Sequence, residues 1–179
     1  MIVRAATAAD VAAVAAIYGH HVLTSTGTFE EAPPSEAEIA ARITAVEALR
    51  LPYLVAGDDR GRVTGFAYAS AFRPRPAYRY TAEDSVYVHP DHMGRGIGKA
   101  LVAEVIGACA ALGVRQMIAV IGDSANAGSI GLHRALGFED AGVGRAFGFK
   151  FGRWVDVVWM QKTLAPGSAA PPTGQGLAL

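Results

Sequence analysis

The stretch Ser85–Ile106, "SVYVHPDHMGRGIGKALVAEVI", decides how the rest of the chain is read. Ser85 to Val88 alternate as a strand, a basic and glycine-dense turn follows, and Leu101 and Val105 then recur at helical spacing. A strand feeding a helix through such a turn leaves main-chain N–H groups unpaired at the positive end of the helix. Glycines at 94, 96 and 98 let the backbone come close to an anion, and Arg95 and Lys99 add charge. The favoured guest is a pyrophosphate. The plainer alternative is a tight bend that holds nothing.

Spacing excludes two well-known phosphate loops. A Walker A loop needs a glycine where Met93 stands and a hydroxyl where Ala100 stands. The dinucleotide fingerprint G-x-G-x-x-G fails as well, because Gly94, Gly96 and Gly98 are spaced G-x-G-x-G and Lys99 takes the last position.

At 179 residues the chain suits one good core and is short for two ordinary domains. Its 51% hydrophobic and 18% charged residues describe a folded, soluble chain. Sixteen Lys and Arg balance sixteen Asp and Glu, so no overall field recruits nucleic acid and any anion site must be local. The single Cys109 excludes a disulfide within the chain and fits a reducing compartment. The N-terminus "MIVRAATAAD" has no long apolar run, and no stretch approaches about 18 apolar residues. The expectation is a cytoplasmic protein with neither membrane nor nucleic-acid partner.

Patterning gives a mixed α/β order. "IVRAAT" is a short strand; Thr7 and Asp10 resemble a capping box ahead of Val11, Val14, Ile17 and Tyr18 at helical spacing. Ser35 and Glu38 cap a second helix with its stripe at Ile39, Ile43, Val46 and Leu49, after a Gly/Pro loop "TSTGTFEEAPP". "YLVAGDDRGRVTGFAYASAF" is a hairpin, and the cationic, irregular "RPRPAYRY" leads into the strand "EDSVYV". A helix closing at Gly113, the buried strand "QMIAVIG", a short helix closed by Gly137 and two last strands joined by a Gly-Arg turn follow. One domain spans 1–164. The Pro/Gly-rich tail 165–179 is expected to be disordered.

"VYVHPDHMGRGIGKAL" resembles the coenzyme A turn of the GNAT acetyltransferases, usually Gln/Arg-x-x-Gly-x-Gly/Ala after a strand, and "SANAGSIGLHRALGF" is similar to their second coenzyme element. "TAEDSVYV", "NAGSIGLHRALGF" and "GFKFGRWVDV" match, in order, motifs of the phosphinothricin and methionine sulfoximine N-acetyltransferase branch. The likeness covers residues 1–164, and it departs at Met93, where Gln or Arg is usual. That removes one side-chain contact to the coenzyme.

The resemblance implies the GNAT fold, a twisted mixed sheet of about seven strands whose central pair, here "EDSVYV" and "QMIAVI", splays apart. It implies acetyl-CoA as co-substrate: the diphosphate on Gly94, Arg95, Gly96, Ile97, Gly98 and Lys99, and pantetheine along the free edge of Val86, Tyr87 and Val88. Asn126 and Ser129 would add hydrogen bonds, and an N–H near Val88 would hold the developing oxyanion.

Acetyl transfer to an amine needs a base, an oxyanion donor and a departing thiolate. Glu83 is the expected base, against the bland reading of a solvated carboxylate at a strand start; alternation turns Asp84 to the opposite face. His133, as a neutral imidazole, would bond the acceptor or the leaving sulfur; a packed or capping histidine is the alternative. Arg73 and Arg75, with Arg79 close by, suit an acceptor carboxylate or phosphinate, while Phe29, Glu30 and Tyr78 would wall the pocket. Cys109 falls on a buried helix stripe, His89 and His92 are not spaced for a metal, and no metal is expected. His20 and His21 are read as surface or interface residues, and Trp154 and Trp159 as core or dimer packing.

These observations converge on an acetyl-CoA-dependent N-acetyltransferase acting directly on a small carboxylate-bearing amine, of the phosphinothricin or methionine sulfoximine type. Relatives pair, so a homodimer is implied. The alternatives are a peptide N-terminus or polyamine as acceptor, or a coenzyme A-binding module without catalysis.

Overall fold

A computed structural model describes residues 1–179. The strands are β1 (Ile2–Ala5), β2 (Tyr53–Gly57), β3 (Val63–Ala71), β4 (Thr81–Val88), β5 (Gln116–Gly122), β6 (Glu139–Lys150) and β7 (Arg153–Thr163). The helices are α1 (Val11–Thr24), α2 (Glu36–Ala48), α3 (Ile97–Ala111) and α4 (Ala127–Ala135). All strands join one seven-stranded sheet in the order β1-β2-β3-β4-β5-β7-β6. Every neighbouring pair is antiparallel except β4 and β5, which run parallel and need the α3 crossover to do so.

Local chemistry sets the element ends. The capping box before α2 forms as its residues dictate: Glu38 N–H donates to Ser35 Oγ at 3.2 Å, and Ser35 N–H returns to Glu38 Oε2 at 2.7 Å. At α1 the Thr7 N–H donates to Asp10 Oδ2 at 2.8 Å, but Asp10 is also bonded by Arg4 at 2.7 Å. That ion pair, with the Thr7 bonds, holds the buried Asp10 carboxyl down to about 2.

The alternation of β3 sorts the helices onto two faces. Phe66 turns toward α1, where Tyr18 lies edge-on at 6.4 Å, while its neighbour Gly65 meets Leu101 of α3. α1 and α2 therefore cover one face, and α3 and α4 the other. Val14, Phe66, Leu101, Val105, Met117 and Met160 are fully buried between these layers. Cys109 lies on the α3 stripe as expected, and burial pushes its thiol up to about 12, an inert packing residue. No helix is long and apolar enough to cross a membrane.

The tail departs from the expectation of disorder. Residues 165–179 turn back over the sheet's lower end, Leu177 is 6% exposed within the main core, and its N–H donates to Arg79 O at 2.8 Å. Composition pointed to a chain that cannot build its own core; one leucine borrows the core of the domain instead.

Candidate active site

The site begins where β4 and β5 part. They pair from Thr81 with Gln116 to Asp84 with Ala119, and the register stops there, although both strands continue. Ser85–Val88 and Val120–Gly122 diverge as a fork, and a cavity of about 740 Å³ fills the opening and runs to the glycine turn. The expected splay is present.

Main-chain parity decides what β4 offers to the gap. His89 N–H donates to Thr64 O at 2.9 Å, which with the β3–β4 register assigns the main-chain groups of Glu83, Ser85 and Tyr87 to β3. Those of Val86 and Val88 are left facing the fork. Tyr87 thus departs from its expected main-chain role: it borders the cavity, but its N–H and C=O belong to the pairing with Phe66. Val88 O is already taken by His21 Nε2 at 2.9 Å, so the free donor at that residue is its N–H.

The turn is an open donor cradle. Gly94 and Gly96 have φ of 72° and 78°, and a Cβ on either would meet nothing within 4 Å. Their use is conformational, since this left-handed backbone strains other residues. Gly98 serves another purpose: a Cβ there would stand 2.7 Å from Leu132 Cδ1, so the glycine lets α3 and α4 touch. The first helical bond of α3 is Ala100 N–H to Gly96 O at 3.0 Å, which leaves the N–H groups of Ile97, Gly98 and Lys99 without helical acceptors. Arg95 and Lys99 are exposed beside them, and Met93 borders the cavity mouth at 53% exposure. Donors, charge and room fit a coenzyme diphosphate and its pantetheine arm.

Asn126 caps α4, accepting from Ser129 N–H at 3.1 Å and donating to Gly122 O at 3.4 Å. Both Asn126 and Ser129 border the cavity, and Asn126 keeps one amide hydrogen beyond these bonds.

His133 is 3% exposed, with Nε2 2.9 Å from Asp84 Oδ2 and Nδ1 2.8 Å from Ser129 O. Ser129 O accepts, and an ionised Asp84 accepts as well, so the arrangement favours hydrogen on both ring nitrogens, the imidazolium form. Burial pulls His133 down, but the bond and charge of Asp84 more than offset it and the net displacement is upward. The surroundings thus favour the charged ring over the expected neutral imidazole. With both N–H groups engaged, none is free for a leaving sulfur.

Glu83 sits on the opposite face of β4, half-buried and outside the coenzyme cavity. Burial raises its pKa; Arg73 opposes that shift and the neighbouring Asp84 adds to it. A second cavity of about 240 Å³ opens on this face, walled by Tyr18, Arg42, Tyr53, Phe66 and Tyr68. Tyr68 is paired with Ser85 and lies diagonally beside Glu83.

The expected pocket residues divide. Arg73, Arg75 and Tyr78 are exposed before β4, with Arg73 stacked 4.5 Å over Phe72 and Tyr78 edge-on to that ring at 5.7 Å. Phe29 is wedged by two glycines: a Cβ at Gly148 would fall 2.3 Å from its ring, and one at Gly122 3.2 Å away. Glu30 is committed elsewhere, accepting from Arg42 at 2.7 and 3.1 Å and from Tyr18 at 2.8 Å.

Three contributors were not foreseen. His21 borders the cavity; its place three residues after Tyr18 and four after Ile17, on the buried stripe of α1, is the signal that marks it as inward-facing. Asp84 is the partner of His133. Lys150, 3% exposed, donates to Ser25 O at 2.9 Å and Thr28 O at 2.7 Å and so fastens the α1–α2 loop to β6. No group of three or more His, Cys, Asp or Glu side chains is arranged to hold a metal.

Comparison with known proteins gives the same picture. Residues 15–138 match the model of the Acetyltransferase (GNAT) family. The chain is 51% identical over 163 residues to a phosphinothricin N-acetyltransferase of Alcaligenes faecalis, covering 91% of this chain and 82% of that one. It is 41% identical over 169 residues to an L-methionine sulfoximine/L-methionine sulfone acetyltransferase of Pseudomonas aeruginosa, covering 94% and 98%. Among solved structures, a phosphinothricin acetyltransferase of Sinorhizobium meliloti in complex with acetyl-CoA superposes with a TM-score of 0.94 at 52% identity, covering 98% of this chain and 94% of that one. With a forked sheet, a glycine cradle and a family model over most of its length, the chain belongs to the GNAT acetyltransferases.

Proposed function

We propose that this enzyme transfers the acetyl group of acetyl-CoA to the amine of a small carboxylate-bearing amino acid, of the phosphinothricin or methionine sulfoximine/sulfone type. The observation that carries the reading is the fork itself: Val86 and Val88 face the coenzyme side while Glu83, between Asp84 and the arginine segment, faces the acceptor side. The relatives' names support the acceptor class.

Each residue then has a chemical part. N–H groups at 94–99, with Arg95 and Lys99, bind the diphosphate. Val88 N–H donates to the carbonyl oxygen as it becomes an oxyanion. Glu83, held as a weaker acid than usual by burial, takes the proton from the acceptor ammonium so that the nitrogen lone pair can attack. Arg73 and Arg75 pair with the acceptor's acid group, and Tyr78 and Phe29 flank the route in. His133 keeps α4 docked on β4 rather than handing a proton to sulfur.

The same reading extends to assembly and place. A homodimer is supported by a patch of exposed aromatics on the last hairpin, Phe147, Phe149, Phe151 and Trp154, each at least 56% exposed. A cytoplasmic location is supported by the coenzyme and by one free, buried cysteine. The deciding experiment follows thiol release from acetyl-CoA against phosphinothricin, methionine sulfoximine, methionine sulfone, a polyamine and an N-terminal peptide. Turnover concentrated on the first three supports the reading. Turnover confined to the polyamine or peptide, or none at all, overturns it.

A further inference from the structure

The segment between β3 and β4 carries the acceptor arginines, and its two ends are held very differently. At its start, Phe72 N–H reaches Thr81 O at 3.5 Å. At its finish, Arg79 and Tyr80 are gripped from several directions. Tyr80 O accepts from Arg115 N–H at 2.8 Å and Gln116 N–H at 3.1 Å, at the closed end of the fork. Tyr80 Oη donates to Gly174 O at 2.6 Å, and Leu177 N–H donates to Arg79 O at 2.8 Å. The tail is anchored further back too, where Arg115 Nη1 donates to Gly167 O at 3.2 Å.

The fit is close enough to exclude a side chain. Gly176 has φ of 71°, and a Cβ on it would stand 2.6 Å from Arg79 O and 2.9 Å from the Tyr80 ring. Beside it Leu177 is buried at 6% exposure among the core residues. A loose end of chain has no need of a glycine that is both left-handed and sterically required. The contacts converge on the two residues that link the arginine segment to the strand bearing Glu83.

We propose that residues 166–179 are a positioning strap for the acceptor half of the active site, clamping Arg79 and Tyr80 so that Arg73, Arg75 and Glu83 are held ready for the incoming acid. This rests on the reading of Arg73 and Arg75 as acceptor-binding residues. The strap touches neither the glycine turn nor the open end of the fork, so its influence falls on the acceptor and spares the coenzyme. A segment ordered before binding loses less conformational freedom when the ligand arrives.

Two variants test it, Gly176→Ala, which forces the strap off by a single methyl, and a chain ending at Ala165. The expected result is a rise in acceptor KM of about tenfold, with kcat and the KM for acetyl-CoA within about twofold of the parent. Amide hydrogen exchange at 73–82 should accelerate in both variants while exchange in α3 does not. Restoring bulk without the clash, as in Leu177→Met in the otherwise intact chain, should keep parental values. Unchanged acceptor KM and exchange in a folded variant would overturn the strap, as would a parallel loss of both KM values with general loosening. If the truncated chain is insoluble, Gly176→Ala decides alone. If the parent fails to acetylate phosphinothricin at all, the acceptor reading fails instead, and the exchange at 73–82 still decides whether the strap clamps that segment.

Discussion

Replacing His133 with Ala should be among the most costly single changes in this protein. The side chains of Asp84 and His133 are 1% and 3% exposed, and Asp84 Oδ1 is buried without a partner. Removing the imidazolium leaves a carboxylate with neither oxygen paired, and breaking a buried pair from one side costs about 3–5 kcal/mol. Asp84→Asn should cost less. An asparagine can donate to Nε2 of a neutral ring whose Nδ1–H still reaches Ser129 O, so both ring nitrogens keep a partner and no buried charge is left unpaired. The two variants also differ with pH. The folded-state pKa of His133 lies above its unfolded value, so its contribution is complete below about pH 6.5 and fades as pH rises through the higher folded value. Urea unfolding at about pH 6 and about pH 9 should therefore show a parent-minus-Asp84→Asn gap that is larger at the acid pH. A His133→Ala cost under about 1 kcal/mol, or a gap independent of pH, would refute the assignment of a buried imidazolium.

Three further outcomes follow from the same geometry. Glu83→Gln should lower kcat by about 10²–10⁴ while leaving the Kd for acetyl-CoA unchanged, measured by turnover and by calorimetry, because the residue lies outside the coenzyme cavity. Arg73→Ala should shift the acid limb of kcat/KM to higher pH, since Arg73 is the group that restrains the upward displacement of Glu83; a limb that stays put removes Glu83 as the base seen in the profile. Gly98→Ala should raise the KM for acetyl-CoA by about tenfold at most and lower stability by about 1–3 kcal/mol, read by kinetics and urea titration, because the added methyl meets Leu132 at 2.7 Å and pushes α4 from α3.

The elements legible in the sequence are those written in neighbouring residues. The glycine turn, the Ser35 box and the alternation around Val86 depend on contacts a few positions apart, and their chemistry survives in the folded chain. What escaped was pairing across long separations. His133 meets Asp84 49 residues away, His21 meets Val88 67 away, and Lys150 meets Thr28 122 away, and no local pattern encodes such partners. The tail escaped for a related reason. Its small residues form no stripe, and its order comes from one leucine and one glycine fitted to a surface made by others.

In the mechanism proposed above, one strand, β4, serves both substrates. Side chains and main-chain groups both alternate along it, in step. Glu83, Ser85 and Tyr87 send side chains to the α1–α2 face and main-chain groups to β3; Tyr87 meets Tyr18 at 4.9 Å there. Asp84, Val86 and Val88 send side chains to the α3–α4 face, where a Cβ at Gly98 would find Val86 and Val88 within 3.7 Å, and turn their main-chain groups toward β5 or the gap. Parting from β5 after Asp84 therefore frees main-chain donors only at the residues whose side chains do not face the acceptor. A one-residue slip of β4 against β3 would carry the Glu83 carboxylate to the wrong face and bury the donors in the β3 ladder at once. The fork at Asp84 and the parity of Glu83 are thus a single geometric condition, and a variant that inserts one residue between Thr81 and Glu83 and slips the strand should lose the proposed base and the proposed oxyanion donor together.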